Sequence, residues 1–101
     1  MEIIKVNEQY NINGILENGW KVFGSITNEN NNSGGNLHVS AEIKISPNSE
    51  EEMDQSIGNI YYFKPASGNV QITYSCSEEL RDEMSQKVDS IIDFVLDYFK
   101  N

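Results

Sequence analysis

Ser77-Glu78-Glu79-Leu80-Arg81-Asp82-Glu83-Met84-Ser85-Gln86-Lys87-Val88-Asp89-Ser90-Ile91-Ile92-Asp93-Phe94-Val95-Leu96-Asp97-Tyr98-Phe99-Lys100 is the stretch whose periodicity sets the architecture. Leu80, Met84, Val88, Ile91, Val95 and Tyr98 recur at three- and four-residue spacing, which stacks them on one face of a 3.6-period helix. Ser77 stands at the N-cap, and Glu78 and Glu79 follow where negative charge meets the positive end of the helix dipole. Lys100 lies at the opposite end, where a cation is favoured. Upstream the chain reads as short strands that need an apolar surface to lie on, and this helix is the expected cover.

The same stretch carries more than a cover requires. Ile92, Phe94, Leu96 and Phe99 widen its apolar arc beyond the usual third of the circumference. Surplus apolar surface on a small protein points to another chain, so a homodimer or a protein partner is expected. Asp82, Asp89, Asp93 and Asp97 fall within a narrow arc on the outer side, with Glu79 and Glu83 at its edge. Asp89, Asp93 and Asp97 are four residues apart and climb by about 6 Å per step. Like charges at that spacing weaken a helix by about 0.3 kcal/mol each. The bland reading is a solvated face. The sharper one is a ladder of carboxylates that imitates a nucleic-acid backbone and is presented to the basic groove of another protein. By analogy, small acidic inhibitors of phages and mobile elements use that strategy.

Working outward, residues 37–46 form the clearest strand. Leu37, Val39, Ala41, Ile43 and Ile45 alternate with His38, Ser40, Glu42, Lys44 and Ser46, as in an antiparallel strand with one wet face. Pro47 ends it, and the acidic residues 48–56 that follow have capping-box spacing at Ser49 and Glu52, enough for a turn of helix. Residues 60–64 make a further strand with apolar or aromatic groups on both faces, and Pro65-Ala66-Ser67-Gly68 turns the chain. Val70, Ile72, Tyr74 and Cys76 then alternate into the last strand. On the N-terminal side, residues 20–27 place Trp20, Val22 and Ile26 on one face. Gly24 falls on that face too, where its missing side chain allows close approach. Residues 28–36 are a polar loop, and residues 2–6 a short edge strand.

Between those two strands, two readings compete for residues 10–20. Asn18-Gly19 makes a hairpin turn, or Ile12, Ile15 and Leu16 form one face of a two-turn helix that stops at Gly19. The helix is preferred, because Asn13-Gly14 would otherwise be a second turn only three residues earlier. Gly14 inside that helix costs about 1 kcal/mol. Leu16, Gly19, Trp20 and Val22, read as a short helix ending in Gly-Trp before a strand, resemble the small uncharacterised bacterial sheet domains that carry Leu-x-x-Gly-Trp-x-Val. The resemblance covers roughly the first third of the chain. It implies the element order strand, short helix, long strands, and brings no activity with it. The expected fold is α+β: an antiparallel meander of four to five strands with a long C-terminal helix on one face and a short helix near the N-terminus. Phe23, Tyr61 and Phe63 are expected on the face opposite the long helix.

Composition narrows the function. A chain of 101 residues with 38% hydrophobic content makes one domain. Sixteen acids against seven bases give −9, a surface that repels phosphate backbones and anionic lipid, so neither direct nucleic-acid binding nor membrane attachment is expected. The start of the sequence lacks the basic, apolar pattern of a signal peptide, and a single cysteine implies no disulfide. A cytoplasmic location follows. His38 has Glu42 four residues away on the same strand face, too far for a direct hydrogen bond. Cys76 reads as a structural thiol. One His and one Cys cannot fill a zinc site, the acidic cluster at Glu50, Glu51, Glu52 and Asp54 lacks an EF-hand pattern, and Ser33-Gly34-Gly35 lacks the lysine of a phosphate loop. No cofactor, metal or catalytic residue is expected. The expectation is a small acidic non-enzymatic binder of a basic protein surface, using Asp82, Asp89, Asp93, Asp97, Tyr61, Phe63, Phe94 and Phe99. The alternatives are a homo-oligomeric, chaperone-like assembly subunit and, last, a small hydrolase.

Overall fold

The computed structural model describes residues 1–7, 9–29, 35–45 and 55–99. Period-two alternation carries the chain through six strands: β1 (Glu2–Val6), β2 (Gln9–Ile15), β3 (Lys21–Asn28), β4 (Leu37–Ile45), β5 (Gln55–Lys64) and β6 (Gln71–Cys76). They pair in chain order as one antiparallel meander. A 3-10 turn (Glu78–Leu80) leads into helix α1 (Arg81–Tyr98). The class is therefore α+β with the helix at the C-terminus, as expected, but with six strands rather than four or five.

The short N-terminal helix is not there. Tyr10 and Ile12 alternate inward with Asn11 and Asn13 in β2, and Gly14 takes the third inward position, which hides the period of two in the sequence. Asn18-Gly19 is a hairpin turn. The Gly19 amide donates to the Leu16 carbonyl at 2.9 Å and the Leu16 amide donates to the Trp20 carbonyl at 2.7 Å. Gly19 has φ 89°, the left-handed residue that closes a three-residue hairpin loop. Asn18 fixes the turn twice over: its Oδ1 accepts from the Trp20 amide at 3.1 Å, and its Nδ2 donates to Glu83 Oε1 on the helix at 2.7 Å. Leu16, Trp20 and Val22 are buried, so the residues of the Gly-Trp pattern serve the core.

One face of the sheet and the inner side of α1 make that core. Ile12, Val22, Ile26, Val39, Ile43 and Ile60 from the strands meet Met84, Val88, Ile91, Ile92 and Val95 from the helix. A Cβ at Gly58 would stand 2.7 Å from Met84 Cε, so the bare glycine is the seat on which the first helical turn rests. A Cβ at Gly24 would meet the β4 backbone at Ser40 and Ala41, so there the close neighbour is a strand. At the far end of α1, Phe99 packs edge-on against Tyr10 at 4.8 Å, so the helix runs diagonally from β5 and β6 to β2.

The buried stripe differs from the expected one at three positions: Leu80 is half-buried and belongs to the 3-10 turn, and two residues of α1 change places. Ile92 lies inside, whereas Tyr98 is half exposed and touches Tyr10 with a ring edge at 6.0 Å. Ser77 makes no side-chain cap bond. The acidic stretch with its expected turn of helix lies outside the described residues except for Gln55 and Ser56, which begin β5, and most of the polar loop between β3 and β4 lies outside them too. No helix is long and apolar enough to cross a membrane among the described residues.

Candidate functional site

Alternation that buries one set of side chains aims the other set at the opposite face of the sheet. No element of the described chain covers that second face. Its apolar side chains are Ile4 and Val6 on β1, Ile15 on β2, Phe23 on β3, and Tyr61 and Phe63 on β5, set among polar ones that include Glu2, Asn11, Asn13, Lys21, Ser25, His38, Ser40, Glu42, Lys44 and Thr73. Phe23 is 62% exposed, Ile15 66%, Ile4 50% and Tyr61 45%. Sequence reasoning placed Phe23, Tyr61 and Phe63 here, and the structure puts them here. It missed Ile4, Val6 and Ile15. Ile4-Lys5-Val6 alternates in the sequence, but its face is set only by the pairing Ile3 with Ile12, and Ile15 was assigned to a helix.

The open face carries two shallow hollows. A trough of about 570 Å³ runs between Ile4 and Val6 on one side and Phe23 on the other, floored by Asn11, Ser25 and Ser40 and ending at Glu42 and Asn59. A second hollow of about 380 Å³ shares Phe23 and Asn13 and extends past Ile15, Lys21 and Lys44. The Lys44 ammonium lies 3.2 Å from Glu42 and 5.7 Å from the centre of the Phe23 ring, which balances the one ionisable side chain in the first trough. His38 stacks on Phe63 at 4.4 Å and stands outside both hollows.

The charge lies on the other side of the molecule. Glu78, Glu79, Asp82, Glu83, Asp89, Asp93 and Asp97 are all exposed on the 3-10 turn and α1, against Arg81 and Lys87. Arg81 approaches Glu78 at 3.5 Å and Asp82 at 3.8 Å. The aspartate ladder is thus exposed to solvent. Phe94 and Phe99, the expected apolar contacts of the helix, are half-buried along its flanks, and Phe99 is engaged by Tyr10. The expected partner residues therefore divide between two sides: Tyr61 and Phe63 on the open face, Asp82, Asp89, Asp93, Asp97, Phe94 and Phe99 on the helix side.

Cys76 is half-buried where β6 ends, in a shallow cleft with Gly58, Ser75 and Leu80. No group of three or more His, Cys, Asp or Glu side chains converges to hold a metal among the described residues. The Tyr62 phenol is buried on the core side, and desolvation pushes its pKa above the ordinary 10.0. No protein-family model, no curated protein and no solved structure matches the chain.

Proposed function

We propose that the chain is a non-enzymatic protein-binding module that engages a basic protein surface through the outer side of α1. The observation that carries this reading is the partition of charge. The carboxylates of the 3-10 turn and α1 stand in solvent with only Arg81 and Lys87 among them, while on the open face Glu2 and Glu42 are matched by Lys21 and Lys44. A one-signed ridge on a rigid helix steers a basic partner and fixes its register. The exposed steps Asp89, Asp93 and Asp97 suit a groove that otherwise takes a phosphate backbone, the mode of an acidic inhibitor from a phage or mobile element acting in the cytoplasm. The balanced, single-carboxylate trough offers no convergent acid–base pair, which favours binding over hydrolysis.

The test is capture from a lysate of the source cell on immobilised full chain, read by mass spectrometry at low and high salt. A basic protein retained at low salt, released at high salt, and lost with Asp89→Lys plus Asp93→Lys is the expected result. Retention indifferent to salt and to both substitutions contradicts it. A second reading, a homo-oligomeric assembly or chaperone-like subunit, is favoured by the exposed Ile4, Val6, Ile15, Phe23 and Tyr61 side chains on the open face of the sheet.

A further inference from the structure

We infer that the open face of the sheet is covered by the same face of a second copy of this chain, giving a sandwich with the two α1 helices outside. The inference rests on the second of the two readings above and is independent of the acidic ridge.

Three features commit the face to a copy of itself. The first is charge. The chain carries −9 in total, so two copies repel wherever their acidic sides meet, but the open face holds Glu2 and Glu42 against Lys21 and Lys44 and closes on itself without net repulsion. The second is shape. A two-fold interface demands that one patch contain both a projection and the hollow that receives it. Phe23 stands up from the sheet, and beside it lies the trough floored by Ser25 and Ser40, whose small side chains leave room for a ring. A two-fold axis between them seats each Phe23 over its partner's Ser25 and Ser40, with Ile4, Val6 and Tyr61 around it. The third is area. Six strands about 4.8 Å apart and roughly 25 Å long offer about 600 Å² a side. Two such faces bury on the order of 1,200 Å², the lower end of a stable interface, at the roughly 10 Å spacing of packed sheets.

Light scattering and sedimentation of the full chain over a range of concentrations test this directly. The expected mass is twice the 11.5 kDa of the protomer, and it persists in high salt because Phe23, Ile4 and Val6 carry the contact and the charges around them balance. Phe23→Glu and, separately, Ser40→Arg weaken dimerisation by about 100-fold or more while the circular dichroism spectrum stays that of the folded protein. Asp89→Lys leaves the mass unchanged. A wild-type chain that is a monomer at every concentration overturns the inference, even if its open face then captures another protein in a Phe23-dependent way. A dimer indifferent to both substitutions also overturns it, since that dimer is joined through another surface. Neither outcome touches the salt-dependent binding of a basic partner, which stands or falls on the Asp89 and Asp93 substitutions.

Discussion

The two faces of this sheet are built from the same strands, one residue apart, and have opposite fates. On the helix side Ile12, Val22, Ile26, Val39 and Ile43 have no exposed surface at all. On the other side Ile4, Ile15, Phe23 and Tyr61 keep about half or more of theirs. Hydrophobicity alone does not separate the two sets, since Phe23 is as apolar as Ile43. What separates them is supply: the described residues provide one long helix, which covers one face and leaves only its β6 margin, at Ile72, exposed. The lesson is that an apolar residue in alternation marks a face that needs a cover without saying whether the same chain brings it.

Substitutions break or sharpen that contrast in a graded way. Ile91→Ala, in the middle of the covered face, removes about 3 kcal/mol of stability. Urea unfolding shows this as a lower midpoint at unchanged slope. Gly58→Val drives a side chain into Met84 Cε and the Ser75 carbonyl alike and costs about 2 kcal/mol. Met84→Ala relieves only part of that cost in a double-mutant cycle, because the Ser75 backbone on β6 stays in place. Asn18→Ala releases the hairpin from Glu83 and costs about 1 kcal/mol, read from the thermal midpoint. Burial raises the pKa of Tyr62 above 10.0 in the folded protein, so its contribution is full below pH 10.0 and is lost as pH rises through the raised value. Tyr62→Phe accordingly flattens the alkaline fall in stability and leaves neutral pH nearly unchanged. On the open face, Phe23→Ser costs less than about 0.5 kcal/mol in the dilute limit, and any larger loss grows with protein concentration.

Much of this fold was legible in the chain. The unbroken alternation from Leu37 to Ile45 and the stripe Met84, Val88, Ile91, Val95 are strong periodic signals, and both elements lie where the periodicity puts them. Phe23 and Tyr61 were assigned to the far face because their neighbours fill the near one. The stretch before Trp20 reads as helix in the sequence and folds as strand for a definite reason. Gly14 occupies an inward strand position without an apolar side chain, so Ile12, Ile15 and Leu16 fell into helical spacing, and the turn at Asn18-Gly19 lost to it. The trough on the open face is not legible in the sequence. It depends on which residues stand across from one another, and the pairing of Asn11 with Ser25 and of Ser25 with Ser40 appears only once all the strands are in register. The surplus apolar arc of α1 proved partly internal, since Ile92 is buried and Phe99 is held by Tyr10.

The most direct measurement follows the methyl and ring protons of Ile4, Val6, Ile15 and Phe23 in nuclear magnetic resonance with a soluble paramagnetic probe, as protein concentration is raised. These protons are predicted to be bleached in dilute protein and progressively shielded as concentration rises, with the β-methylene protons of Asp89 and Asp93 on α1 bleached throughout. Open-face protons bleached equally at every concentration would contradict a face made to be covered.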